Sequence, residues 1–117
     1  MSHISSSGSG GGGAPGTLVL NYTLVTVADT PYFVTATDTI IGVDSTGGPV
    51  TILVPTAPAI ARSFIIKDVG GQAEVNNIAI QDISNVDTFD GIVSFVMNSE
   101  YQAANVFYAG NNEYFIY

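Results

Sequence analysis

TIIGVDSTGGPVTILVPTAPAIARSFIIKDVGGQAEVNNIAI, residues 39–80, holds three β-type runs, Thr39–Val43, Val50–Val54 and Ser63–Asp68, each closed by turn residues. Ile40–Asp44 and Val50–Val54 favour extended backbone, because branching at Cβ restricts χ1 in a way that a pleated ladder accommodates. Between them, Ser45-Thr46-Gly47-Gly48-Pro49 supplies the backbone freedom and the stop that a reversal needs, so the spacing predicts a hairpin. Pro55 ends the second run, since proline has no N–H to donate to a ladder. Ser63–Asp68 restarts extended structure, Gly70-Gly71 turns it, and Asn76-Asn77 opens Ile78-Ala79-Ile80. The expectation for the centre is a meander of short strands.

Working outward, residues 17–27 (TLVLNYTLVTV) form the longest β-type run. Leu18, Leu20, Tyr22 and Leu24 fall on one face and Val19, Asn21, Thr23, Val25 and Val27 on the other, which predicts a strand covered on both sides. Asn21-Tyr22-Thr23 has the form of a glycosylation acceptor but lies inside this run and is discounted. Asp29-Thr30-Pro31 is turn chemistry, and residues 32–37 resume as a short strand. Beyond the centre, residues 81–87 are a polar excursion, Phe89-Asp90-Gly91 turns the chain into residues 92–97, and Asn98-Ser99-Glu100 turns it again. A second hairpin is expected at the end, residues 104–108 and 113–117 across Ala109-Gly110-Asn111-Asn112, whose Gly and Asn tolerate positive φ. Only residues 56–62 and 101–105 suit a helical turn. The chain therefore reads as all-β, a single small antiparallel sandwich, jelly-roll-like or β-prism-like. Its edges are expected to be covered by neighbouring subunits, because they are poor in the lysines that keep edge strands apart.

Composition points the same way. The chain has 117 residues, 46% hydrophobic and only 10% charged, against roughly 25% charged in an ordinary soluble domain. This length allows one core, and a domain of this size buries roughly two thirds of its unfolded surface, so shared apolar faces would help to stabilise it. Ten Asp and Glu stand against Arg62 and Lys67, a formal net charge of −8. Nucleic acid is not expected as a partner, since binding it takes a Lys and Arg footprint that releases counterions. An anionic membrane surface is disfavoured for the same reason, and no apolar run approaches the about 20 residues of a membrane-spanning helix. The start has neither the basic nor the apolar region of a secretory signal. With no cysteine there is no disulfide framework or thiolate metal site.

The succession Asp38-Thr39-Ile40-Ile41-Gly42-Val43-Asp44, then Val50–Pro55, then Arg62–Ala73, then Asn76–Ile80, then Phe89-Asp90-Gly91 and the aromatic end Tyr114-Phe115-Ile116-Tyr117 resembles the small trimeric β domains of bacteriophage tail fibres and related virion appendages. The resemblance spans residues 32–117 and departs from the pattern at two places. Residues 82–87 are more irregular, and Tyr114 and Phe115 stand where a tryptophan is common. It implies a homotrimer in the virion, assembled in the host cytoplasm, that touches other virion proteins or a carbohydrate or protein of the host surface.

Residues 1–16 are low-complexity Gly and Ser, a linker or an arm that orders on a partner, with Ser5, Gly10 and Gly13 as candidate anchoring positions. Residues 17–117 form the β domain. Catalysis finds little to work with. The only histidine is His3, so a nucleophile triad has no base in the domain. Asp82, Asp87 and Asp90 lie close enough in sequence to be weighed as a carboxylate pair for sugar hydrolysis, or, with Asn76, Asn77 and Asn85, as oxygen ligands for Ca²⁺. Loop carboxylates that cap turns are the simpler reading, so no catalytic residue, metal or cofactor is assigned. Tyr101, Phe107, Tyr108, Tyr114, Phe115 and Tyr117 crowd the last seventeen residues. They either fill the core or a trimer axis, or form a contact surface, for which Tyr101, Tyr108, Tyr114 and Tyr117 are the candidates. Ile66 and Phe115 are expected in the core. The functional expectation is a non-enzymatic virion protein, a fibre or appendage module, with a capsid decoration protein anchored by its arm and a carbohydrate-binding module as the alternatives.

Overall fold

In the computed structural model, which describes residues 20–117, ten strands form two sheets. In chain order they are β1 Tyr22–Thr26, β2 Tyr32–Phe33, β3 Ile40–Asp44, β4 Val50–Val54, β5 Ser63–Asp68, β6 Ile78–Asp82, β7 Thr88–Phe89, β8 Ser94–Met97, β9 Ala103–Gly110 and β10 Glu113–Ile116. The six-stranded sheet runs β1-β3-β5-β9-β10-β7 and the four-stranded sheet β2-β4-β6-β8. The all-β class and the two-sheet sandwich agree with the sequence reading. The Gly/Ser-rich arm, with Ser5, Gly10 and Gly13, lies outside the described residues.

The strand directions differ from the expected antiparallel meander. β3 and β4 do not pair. Successive strands alternate between the sheets, so β1, β3 and β5 stack in parallel in one and β2, β4 and β6 in the other. The chain thus winds round the core three times, laying one strand in each sheet per winding, before β8, β9 and β10 add antiparallel strands. Residues 45–49 fit this path as well as a hairpin. Five extended residues reach about 17 Å, more than the roughly 10 Å between packed sheets.

Hydrogen bonds between windings hold the corners in register. The Ser45 hydroxyl, fully buried, donates to the Asn76 carbonyl at 2.8 Å, and Asn76 Nδ2 donates to the Ser45 carbonyl at 2.9 Å. At the next corner Val69 N–H donates to the Val43 carbonyl at 2.9 Å. Residues 56–62 and 101–105 form no helix. Ala57, Ala61 and Tyr101 take positive φ, which breaks any helical turn, and among the described residues the one short 3-10 turn lies at Val27–Asp29 instead.

Between the sheets lie Val25, Ile41, Val43, Phe64, Ile66 and Val106 from the larger and Val50, Ile52, Val54, Ile78, Ile80 and Met97 from the smaller. Ile66 is buried as expected. Phe115 is not: it is 40% exposed, and its neighbour Tyr114 is wholly buried in its place. The terminal hairpin itself forms as predicted, with Gly110, Asn111 and Asn112 all at positive φ. A register shift between Glu113 and Tyr114 then sets the phase that turns Tyr114 and Ile116 inward.

Candidate interaction surface

Four aspartates with almost no side-chain exposure organise the loops: Asp38, Asp68, Asp82 and Asp87. Asp68 and Asp82 close β5 and β6, and Asp38 and Asp87 lie between strands, each beside a turn whose backbone N–H groups would otherwise be left without partners. Asp38 accepts the Thr23 hydroxyl on Oδ1 at 2.7 Å and the Tyr32 hydroxyl and Thr35 N–H on Oδ2 at 2.7 and 2.8 Å. Asp68 gathers Gly71, Ala73 and Tyr101 N–H at 3.0, 3.1 and 2.9 Å. Asp82 accepts the Thr56 hydroxyl and Ser84 N–H on one oxygen and Val86 and Asp87 N–H, both at 2.8 Å, on the other. Asp87 takes Ala57 N–H at 2.7 Å and Asn112 Nδ2 at 2.6 Å. Asp82 and Asp87 are thus neighbours, as the sequence suggested, but every one of their oxygens is turned to the chain's own donors. Asp90 sits apart on the surface, accepting Ile116 N–H at 3.1 Å.

The turn-capping reading of these acids holds, with Asp82 and Asp87 buried and Asp90 exposed. Asn76 is spent on the Ser45 corner and Asn77 on the Ala73 carbonyl, and Asn85 lies exposed at positive φ. Among the described residues no group of three or more His, Cys, Asp or Glu is placed to hold a metal ion.

These bonds have an electrostatic signature. For Asp38 and Asp82, burial acts to raise the pKa, yet the N–H and O–H groups aimed at the carboxylates outweigh it and hold both below the usual 3.8. Burial, then the bond to Asp38 and its charge, pushes the Tyr32 hydroxyl up to about 12, so it remains a donor. A carboxyl whose folded pKa is depressed contributes stability that is complete above its unfolded value and lost as pH falls through the folded one. The melting temperature is therefore expected to hold down to about pH 5 and to fall steeply below 3.8. Thermal melts from neutral to pH 3 check this, and an unchanged midpoint at the acid end would contradict it.

The aromatic residues separate into two groups. Tyr108 and Tyr114 are buried, at 4% and 0% exposure, so as contact residues they are corrected to core. Tyr114 stacks on Phe89 with centroids 5.0 Å apart, meets Tyr108 edge-on at 5.1 Å and Phe64 at 6.1 Å, and donates its hydroxyl to the Pro55 carbonyl at 2.5 Å. Burial raises its pKa, with the charges of Asp87 and Asp82 adding to the effect. Tyr101 and Tyr117 are exposed, at 58% and 69%. Tyr101 is pinned over Gly71, where a Cβ would meet its ring, with Lys67 donating to its carbonyl.

Tyr117 belongs to a larger apolar surface. Register places Tyr22, Ile40, Ile65 and Asn105 in one row on the outer face of the six-stranded sheet, and Ser63, Phe107 and Phe115 in another. Phe107 lies 5.8 Å from Phe115 and 5.6 Å from Tyr117, forming a ridge. Beside it a cleft of about 390 Å³ is lined by Leu20, Thr39, Ile40, Ser63, Ile65 and Tyr117. Leu20, Tyr22 and Leu24 are more than half exposed, so the described part of the run expected to be covered on both sides holds an edge strand, β1, with one side open, while residues 17–19 lie outside the described residues. Sequence reasoning missed these three because apolar residues on both faces say nothing about which face meets the second sheet. No protein-family profile matches the chain, and no curated protein matches it in sequence.

Proposed function

We propose that this chain is a non-enzymatic structural protein of a virion, a homotrimeric fibre or appendage module that contacts the host surface or joins neighbouring virion parts. The resemblance of residues 32–117 supplies the virion context. The observation that carries the reading is the division of chemistry between inside and outside. The buried carboxylates are spent on the chain's own loops, while large apolar side chains stand on the outer face of the larger sheet. Such a distribution suits a body whose work is assembly. Stacked parallel windings also suit an appendage, since each winding templates the next and the body resists shear along its length. Light scattering at micromolar concentration is expected to give the mass of three chains, and the mass of one chain would sink the proposal. Immuno-electron microscopy of particles carrying the protein would then separate a position on the tail from one on capsid facets or in free solution.

A further inference from the structure

The geometry points to the outer face of the six-stranded sheet as the surface through which copies of this chain meet, with the Phe107, Phe115 and Tyr117 ridge and the Leu20, Ile40 and Ile65 cleft packed against second and third copies around a common axis. This inference rests on the trimeric reading above and names its contact surface.

Charge selects the occupant. Each chain carries a net −8, so two copies repel unless they meet where the acids are absent. The row Tyr22, Ile40, Ile65, Asn105 and the row Ser63, Phe107, Phe115 contain no charged residue, and Lys67 and Asp44 lie towards one end of the face. A strongly charged partner finds no complement there, whereas another copy of the same neutral face does.

Area agrees. At their observed exposures, Leu20, Tyr22, Leu24, Phe115 and Tyr117 leave on the order of 600 Å² of side-chain surface open. Half-buried Ile40, Ile65 and Phe107 extend it towards roughly 800 Å², the share one partner gives to a standard stable interface, which a ring divides between the two neighbours of each copy. A ridge and a cleft side by side also meet the requirement of a ring, in which each copy offers one surface to the neighbour before it and another to the neighbour after it. The outer face of the four-stranded sheet is the natural contrast. It exposes Phe33 and Val96, separated by Leu53, Gln81, Thr51 and Ala79, and Gln81 faces Ser94.

Sedimentation velocity of Leu24→Glu and Phe115→Glu, beside the controls Phe33→Glu and Val96→Glu, tests the assignment. The expected result is three chains for the wild type and both controls and one chain for the two face variants, each variant showing a folded β-type circular dichroism spectrum. A trimeric wild type whose face variants remain trimeric overturns this surface and leaves the trimer standing. A monomeric wild type overturns the trimer and the surface together. Hydroxyl-radical footprinting of the unmodified assembly does not depend on any variant folding. Tyr22 and Tyr117 should be oxidised several-fold more slowly than the equally exposed Tyr101, and equal rates in a trimer would overturn the proposal.

Discussion

Replacing Tyr114 with alanine is expected to destabilise the domain by about 3–5 kcal/mol, a large share of the roughly 5–15 kcal/mol that holds a domain of this size together. Tyr114 is wholly buried and ties four other parts of the chain together. Its ring stacks on Phe89 from β7, meets Tyr108 from β9 and Phe64 from β5, and its hydroxyl reaches the Pro55 carbonyl just past β4. Alanine leaves a cavity among side chains on several strands, which cannot all move in to fill it. Tyr114→Phe keeps the ring and removes only the donor, so about 1–2 kcal/mol is expected. Phe115→Ala, one residue on, should alter the stability of an isolated subunit far less, because that ring is 40% exposed. Urea denaturation of the three variants checks the order, and a Phe115 effect larger than that of Tyr114 would mean that the terminal strand has the opposite phase.

The second large effect is expected at Asp82. Asp82→Ala removes the acceptor for three backbone N–H groups and the Thr56 hydroxyl at once. Buried donors left without partners cost about 1–3 kcal/mol each when no water reaches them, so a loss of about 3 kcal/mol is expected after partial rehydration of the loop. Asp82→Asn retains one carbonyl oxygen and should lose about half of that. Glu74→Ala, at an exposed position, should stay within about 0.5 kcal/mol of the wild type. Melts repeated with a chelator separate this role from metal binding. If the carboxylate acts on the loop alone, the chelator leaves the wild-type midpoint where it was, and a wild-type shift matching the Asp82→Ala loss would transfer the role to a bound cation.

Much of the secondary structure was legible because β propensity and turn chemistry are local. The runs 40–44, 50–54 and 63–68 are strands within the bounds their residues suggest, and Gly110-Asn111-Asn112 closes the hairpin their positive φ permits. Burial of Ile66 followed from its place inside Phe64-Ile65-Ile66. Candidate contacts were legible only in part: Tyr101 and Tyr117 are on the surface, whereas Tyr108 and Tyr114 are inside.

Sequence by itself determined the all-β class, most of the strand positions, the terminal hairpin and the low overall content of charge. Strand partners, direction and phase were decided by tertiary structure. A β-branched run pairs as readily in parallel as in antiparallel, and the segment after β3 is long enough either to reverse or to cross to the other sheet. Packing two apolar faces against each other selects the crossing, which seats Ile41 and Val43 opposite Val50, Ile52 and Val54 in one core. The end Glu113-Tyr114-Phe115-Ile116-Tyr117 has no polar alternation to set its phase, so the bulge beside Glu113 and the carbonyl of Pro55 determine which ring is buried. The acids follow the same logic. A loop aspartate reads as solvated until the fold brings to it the N–H groups of bends that are distant in sequence, as Tyr101 is brought to Asp68 and Ala57 to Asp87.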